Sequence, residues 1–145
     1  MRRIAGLVAV LGLSSALLLA GTTKGDAEAV ARRFGEALTS GDASKLRSVL
    51  PARGKVKLAL ELLAEAQGTY GSGQVEALLR ESLSRTSVRS FETQRVESDS
   101  ASFALVQCRA SATDPQGRAA RIALHLSLQP EDGGWVVREI RESPE

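Results

Sequence analysis

His125 is the one histidine in the 145-residue chain, and an imidazole is the side chain that titrates near neutrality unaided, which makes it the first candidate for a general acid or base. Such a group needs an orienting partner, and its neighbours on the same strand face, Ala123 and Ser127, supply none. His125 therefore reads as exposed or dimer-facing on the outer side of a sheet, and no catalytic residue is assigned. Cys108, the single cysteine, excludes an intramolecular disulfide and a multi-cysteine zinc site. It alternates with Ala104, Val106 and Ala110, the setting of a buried, inert thiol. One His, one Cys and no Asp/Glu cluster at ligand spacing predict no metal site, and no motif asks for a cofactor. The run Gly68 to Gly73 lacks the Gly-Lys-Ser/Thr ending that would aim a cation and a hydroxyl at phosphates, so it reads as a linker between helices.

Charge offers a second kind of chemistry. Lys45, Arg47, Arg53, Lys55 and Lys57 fall close together, and no acid interrupts from Ala43 to Leu60. Such a face could meet anionic lipid headgroups or an acidic envelope polymer, each base adding about 1 kcal/mol near the surface. Against this stands ordinary solvated helix surface. Arg109, Arg121 and Arg138 alternate on strand positions and read as solubilising, edge-protecting charges. A nucleic-acid partner is not expected. Three of the 19 bases (Arg2, Arg3 and Lys24) precede residue 26, which leaves 16 bases against all 17 acids. Five aromatic residues, Phe34, Tyr70, Phe91, Phe103 and Trp135, are also too few for a base-stacking platform.

Residues 1–25 are a signal peptide or an uncleaved N-terminal anchor. Met1-Arg2-Arg3 precedes an uncharged run from Ile4 to Thr23, the order of a secretory leader. The arginines would keep the short N-terminus inside and place residues 26–145 in the periplasm or another extracytoplasmic space, with membrane contact only through the leader. The stretch Leu18-Leu19-Ala20-Gly21 resembles the run before a lipidated cysteine, but Thr22 follows and has no sulfur, so no lipid is expected.

The elements that would position these groups follow from periodicity. Ala27, Val30, Ala31, Phe34 and Leu38 recur at helical spacing behind Asp26 as a cap, and Gly41 ends that helix. Asp42 caps a short second helix that Pro51 ends. Composition favours a helix over Lys55 to Gln67, although its first residues alternate, and Val75, Leu78, Leu79 and Leu83 define another. From Phe91 the period changes to two. Phe91 to Glu97, Ser102 to Ser111, Ala120 to Gln129 and Trp135 to Arg141 predict four strands joined by short turns, hence antiparallel neighbours. In the third, Ile122, Leu124, Leu126 and Leu128 face one way, and Phe34 is expected to lie against them.

Helices before an antiparallel meander are joined here by two sequence patterns. The first is Ala29-Val30-x-x-x-Phe34-x-x-Ala37-Leu38-x-x-Gly41-Asp42-x-x-x-Leu46-x-x-x-Leu50, and the second is the closing turn and strand Asp132-Gly133-Gly134-Trp135-Val136-Val137. Together they resemble the nuclear-transport-factor-two-like superfamily, the cystatin-like α+β roll, and within it the exported bacterial envelope domains. The resemblance covers nearly all of 26–145. It implies an α+β fold in which N-terminal helices pack on a curved, four-stranded antiparallel sheet to form a cone. A segment 51–86 more helical than is usual for the family would be a departure from it. The superfamily's enzymes carry polar acid/base residues inside the cone, whereas the lining expected here, Phe34, Leu38, Ile122, Leu124, Leu126, Leu128 and Trp135, is apolar. That lining packs as core or holds an apolar small molecule. The expectation is an exported, non-catalytic envelope domain that binds a partner protein, an anionic surface or an apolar molecule, with a homodimer through the outer sheet face as a further option. The alternative is a small isomerase, dehydratase or hydrolase using His125.

Overall fold

The structure is a computed structural model that describes residues 24–144, so the leader expected over 1–25 lies almost wholly outside the described residues. Helix α1 (Lys24–Ser40) buries the stripe Ala27, Val30, Ala31, Phe34, Ala37 and Leu38. It begins ahead of Asp26, which sits in the first turn, where a carboxylate complements the helix dipole. It ends as expected at Gly41, whose φ of +67° is the left-handed conformation of a helix C-cap. The amide of Asp42 donates back to the Ala37 carbonyl and that of Gly41 to Leu38. The Asp42 side chain then accepts from the Ser44 amide and starts a 3₁₀ helix (Ala43–Ser48) that buries Leu46.

Six strands follow, not four. These are β1 (Lys55–Leu60), β2 (Ala66–Gly71), β3 (Ser87–Ser100), β4 (Phe103–Thr113), β5 (Ala119–Glu131) and β6 (Gly134–Pro144), with α2 (Ser72–Leu83) between β2 and β3. The sheet order is β2-β1-β6-β5-β4-β3. Neighbours are antiparallel except β1 and β6, which run parallel. The helix expected over Lys55 to Gln67 is therefore a β-hairpin, and the glycine run is no helix linker, since Gly68 to Gly71 complete β2 and Ser72 opens α2. The residue types favour a helix, but Val56, Leu58 and Leu60 are buried at every second position while Lys55 and Lys57 stay outside. Pairing of Lys57–Ala59 with Glu139–Arg141 completes an otherwise open edge of β6, and that tertiary gain overrides local propensity.

The four later strands lie where the alternation predicts them, but β3 runs to 14 residues, twice its expected length, while β4 differs from expectation by only one or two residues at each end. Asp132 and Gly133, both at positive φ, make the tight turn between β5 and β6. Register shifts at three places along β3, and one where β5 meets β6 around Arg138, bend the sheet around its contents. Those contents form one packed apolar cluster from all six strands and the helices.

Phe34 is fully buried, but its ring meets the edge of Phe91 on β3, with centroids 6.0 Å apart, and α1 runs mainly over β3. Phe34 shares one apolar cluster with the β5 leucines and gains this aromatic partner on β3 as well. Gly35 permits the close approach of α1 to β3: a Cβ there would fall 2.2 Å from the Phe91 ring, so only glycine fits.

Candidate functional site

The cone interior is the first place to look for chemistry. Phe34, Leu38, Ile122, Leu124, Leu126, Leu128 and Trp135 are at most 3% exposed and pack together. Buried polar or charged side chains among the described residues are Glu76 and Ser82, both on α2. The titratable group on the inner face of β4 is Cys108, whose thiol burial pushes up to about 12, against a smaller opposing effect of a hydrogen bond with Thr93. A thiol held that high stays protonated and is a poor nucleophile at neutral pH.

His125 stands on the other face of β5, opposite Gln107 on β4 and Arg141 on β6. Neither neighbour can orient an imidazole as a carboxylate does, and Glu139 lies one row away, opposite Ser127. The Nδ1 atom is enclosed and has no hydrogen-bond partner. Among the described residues no three His, Cys, Asp or Glu side chains gather as a metal site requires.

The five clustered bases do not share one surface. Lys45 and Arg47 belong to the 3₁₀ helix, packed with α1 and α2 on the helical side of the sheet. Lys55 and Lys57 point outward from the opposite face of β1, and Arg53 lies in the loop between. Arg47 is also engaged: its Nε and Nη2 donate to the Glu76 carboxylate at 2.5 and 3.1 Å, and Arg80 donates to the same group at 2.7 Å. These hydrogen bonds, that of Arg47 first, hold the Glu76 carboxyl below its ordinary range and raise Arg47. Of the three alternating arginines, Arg109 and Arg121 are exposed on the sheet, but Arg138 is a staple. It donates to the Arg53 carbonyl at 2.6 Å and to Glu131 at 3.1 Å, while Glu131 accepts from the Ala52 amide at 2.7 Å.

Sequence reasoning missed a second carboxylate of this kind. Glu142, near the end of β6, accepts from the amides of Glu61, Leu62 and Leu63 at 3.3, 2.8 and 3.0 Å and so grips the loop between β1 and β2. The Ser82 hydroxyl donates to the Leu63 carbonyl and pins that loop to α2. No spacing rule links residues some 80 positions apart, so only the 61–63 loop itself, once read as a hairpin, would have asked for an acceptor.

Clefts open on the outside. One of about 430 Å³ separates α1 from β3 beside Arg32 and Glu92. Another of about 380 Å³ lies between the β1–β2 loop, the end of α2 and Pro115, and a third of about 290 Å³ flanks it beside Tyr70.

No family model and no curated protein matches the sequence. Solved structures do match in shape. A domain of unknown function with a cystatin-like fold from Nostoc punctiforme is 14% identical at a TM-score of 0.66, over 86% of this chain and 80% of that one. A protein of the nuclear-transport-factor-two-like family from Streptomyces avermitilis is 18% identical at 0.64, over 83% and 94%. A ketosteroid isomerase-like protein from Erwinia carotovora atroseptica is 16% identical at 0.61, over 81% and 92%. With helices covering a curved mixed sheet and these structural neighbours, the chain has the nuclear-transport-factor-two-like fold, the cystatin-like α+β roll.

Proposed function

We propose that this chain is an exported, non-catalytic domain that works by binding a partner protein. The observation that carries the reading is the filled cone: where proton transfer needs a titratable group held away from water beside a partner that tunes it, the interior holds aliphatic side chains and a protonated thiol. An apolar small molecule would have to displace side chains that are at most 3% exposed and already close-packed. A flat anionic surface would meet only part of the basic set at once, because Lys45 and Arg47 lie on one side of the sheet and Lys55 and Lys57 on the other. Export rests on the Met1-Arg2-Arg3 start and the apolar run behind it.

Complementation tests the reading. A strain lacking the protein and supplied with His125→Ala at normal abundance is expected to behave as wild type. Loss of function in that strain, with the protein folded and exported, would establish the enzyme reading instead. Native mass spectrometry of the exported protein is expected to show the bare polypeptide mass, and a co-purifying apolar compound would overturn the filled cone.

A further inference from the structure

We propose that the groove between the β1–β2 loop and α2 docks an amphipathic segment of a partner protein whose apolar residues are flanked by Lys or Arg. The proposal rests on the partner-binding reading and names the surface and the partner's chemistry. It begins with Leu62, 53% exposed and, with Phe103, one of two large apolar side chains left in solvent among the described residues. Scattered exposed leucines need no explanation, but this one is held in place. Its own amide donates to Glu142 Oε1 at 2.8 Å, both neighbouring amides donate to Oε2, and the carbonyl of Leu63 accepts from Ser82. An apolar side chain fixed outward by four backbone contacts is preorganised, so a partner that covers it loses little loop entropy on binding.

The surface around Leu62 continues the pattern. The two clefts beside it share Leu78 and Glu81, so they meet along α2, with Leu62 and Pro115 on one side and Tyr70 and Ala77 on the other. On the helix the apolar part of that floor is Ala77 and Leu78, set between Gln74 and Glu81, which are about two turns apart. The rim is acidic: Glu61, Glu65 and Glu81 are exposed and face a single base, Arg85, whose Nη2 is bound to Glu81 at 3.1 Å. Two carboxylates in excess around an apolar floor repel an anionic membrane and favour a cationic, apolar peptide segment.

The test uses the exported protein as isolated and two labelled probes: a 14-residue helical peptide of Leu and Lys, and the same peptide with every Lys replaced by Glu. In fluorescence anisotropy the Lys peptide is expected to bind saturably and the Glu peptide at least about tenfold more weakly. Leu62→Asp should weaken the Lys peptide by about tenfold or more, and Glu61→Gln with Glu65→Gln by several-fold with a shallower salt dependence. Phe103→Asp, at the β3–β4 turn, should leave binding within about twofold. Leu62 is exposed, so each variant is expected to keep the wild-type melting curve, and amide shifts on titration should centre on residues 61–65 and 74–81. Equal binding of the two peptides, indifference to Leu62→Asp, or shifts centred elsewhere would overturn the proposal. So would self-association that Leu62→Asp abolishes in sedimentation, which would make a second copy the occupant. A functional loss in His125→Ala would instead remove the partner-binding reading, whereas failure at Leu62 with His125→Ala intact removes only this surface.

Discussion

The meander of β3 to β6 under α1 and the segment from the 3₁₀ helix through α2 share one apolar core but differ in what else holds them. In the meander, long neighbouring strands bond to one another along most of their length, and the inner face is closed by Phe34, Leu124, Leu126 and their neighbours. The segment from Ala43 to Leu83 has short strands and a short helix; carboxylates from β5 and β6 tie it down, Glu131 to the Ala52 amide and Glu142 to the 61–63 amides, and Glu76 braces it internally through Arg47. The first region should fail as a unit. The second should fail one tether at a time.

Phe34→Ala breaks the first region and carries the largest expected effect. Emptying a fully buried aromatic site costs about 3–5 kcal/mol, and here it also removes the edge-on contact with Phe91. In a domain of this size that lowers the melting temperature by more than about 10 °C. A shift of a couple of degrees would show that α1 does not close the sheet.

Glu142→Ala is the matching cut in the second region. It leaves three amides of a partly exposed loop without their acceptor, for a net loss of about 2 kcal/mol because water replaces part of the interaction. The distinguishing readout is hydrogen exchange. Amides 61–63 should lose protection while those of β4 and β5 keep theirs, and uniform loss of protection would show that the hairpin is no separate unit.

The same contrast decides how much could be read from the residues. Ile122, Leu124, Leu126 and Leu128 announce a strand because burial on one face imposes a period of two, and Asp132-Gly133 announces its turn because positive φ selects those residue types. Neither signal needs knowledge of a distant partner. In Lys55 to Gln67 the helix-favouring residue types outweighed a short alternation, and what settles the matter is β6, some 80 residues on. β2, with Gly68, Thr69 and Gly71, has almost no apolar pattern of its own and exists because β1 pairs with it. The candidate groups divide alike. The burial of Cys108 follows from its strand neighbours, whereas the engagement of Arg47 by Glu76, and of Arg138 by Glu131, depends on side chains meeting across the fold.

Glu76→Gln sharpens the comparison through pH. Because Arg47, and then Arg80, hold the folded-state carboxyl below the ordinary glutamate value of 4.5, the folded state binds fewer protons there than the unfolded chain does. The stability this contributes is present above the unfolded value and is lost as pH falls through the lowered folded value. Wild type should therefore melt higher than Glu76→Gln at pH 7, and the two curves should converge as pH falls below 4.5 and through the lowered folded value. Both arginines are largely exposed, so salt should narrow the gap at pH 7 as well. A gap that persists unchanged into acid would show that the carboxylate's charge is not what ties α2 to the 3₁₀ helix.

His125→Ala has the smallest expected effect, and it tests the meander from its other face. His125 and Leu124 are adjacent in sequence, yet one packs in the core and the other lies among Gln107, Arg141, Ala123 and Ser127 on the outer face. Truncating the imidazole opens no cavity in the close-packed interior, so the cavity term that dominates Phe34→Ala is absent. It also removes an enclosed Nδ1 that has no hydrogen-bond partner, a group whose burial costs free energy in the folded state. The loss of local contacts and the relief of that atom oppose each other. The melting temperature should therefore stay within about 2 °C of wild type or rise slightly, as for a substitution that touches no core, cap or ion pair. A fall comparable to that of Phe34→Ala would mean that the outer face is packed against something, and the meander would then be held from both sides.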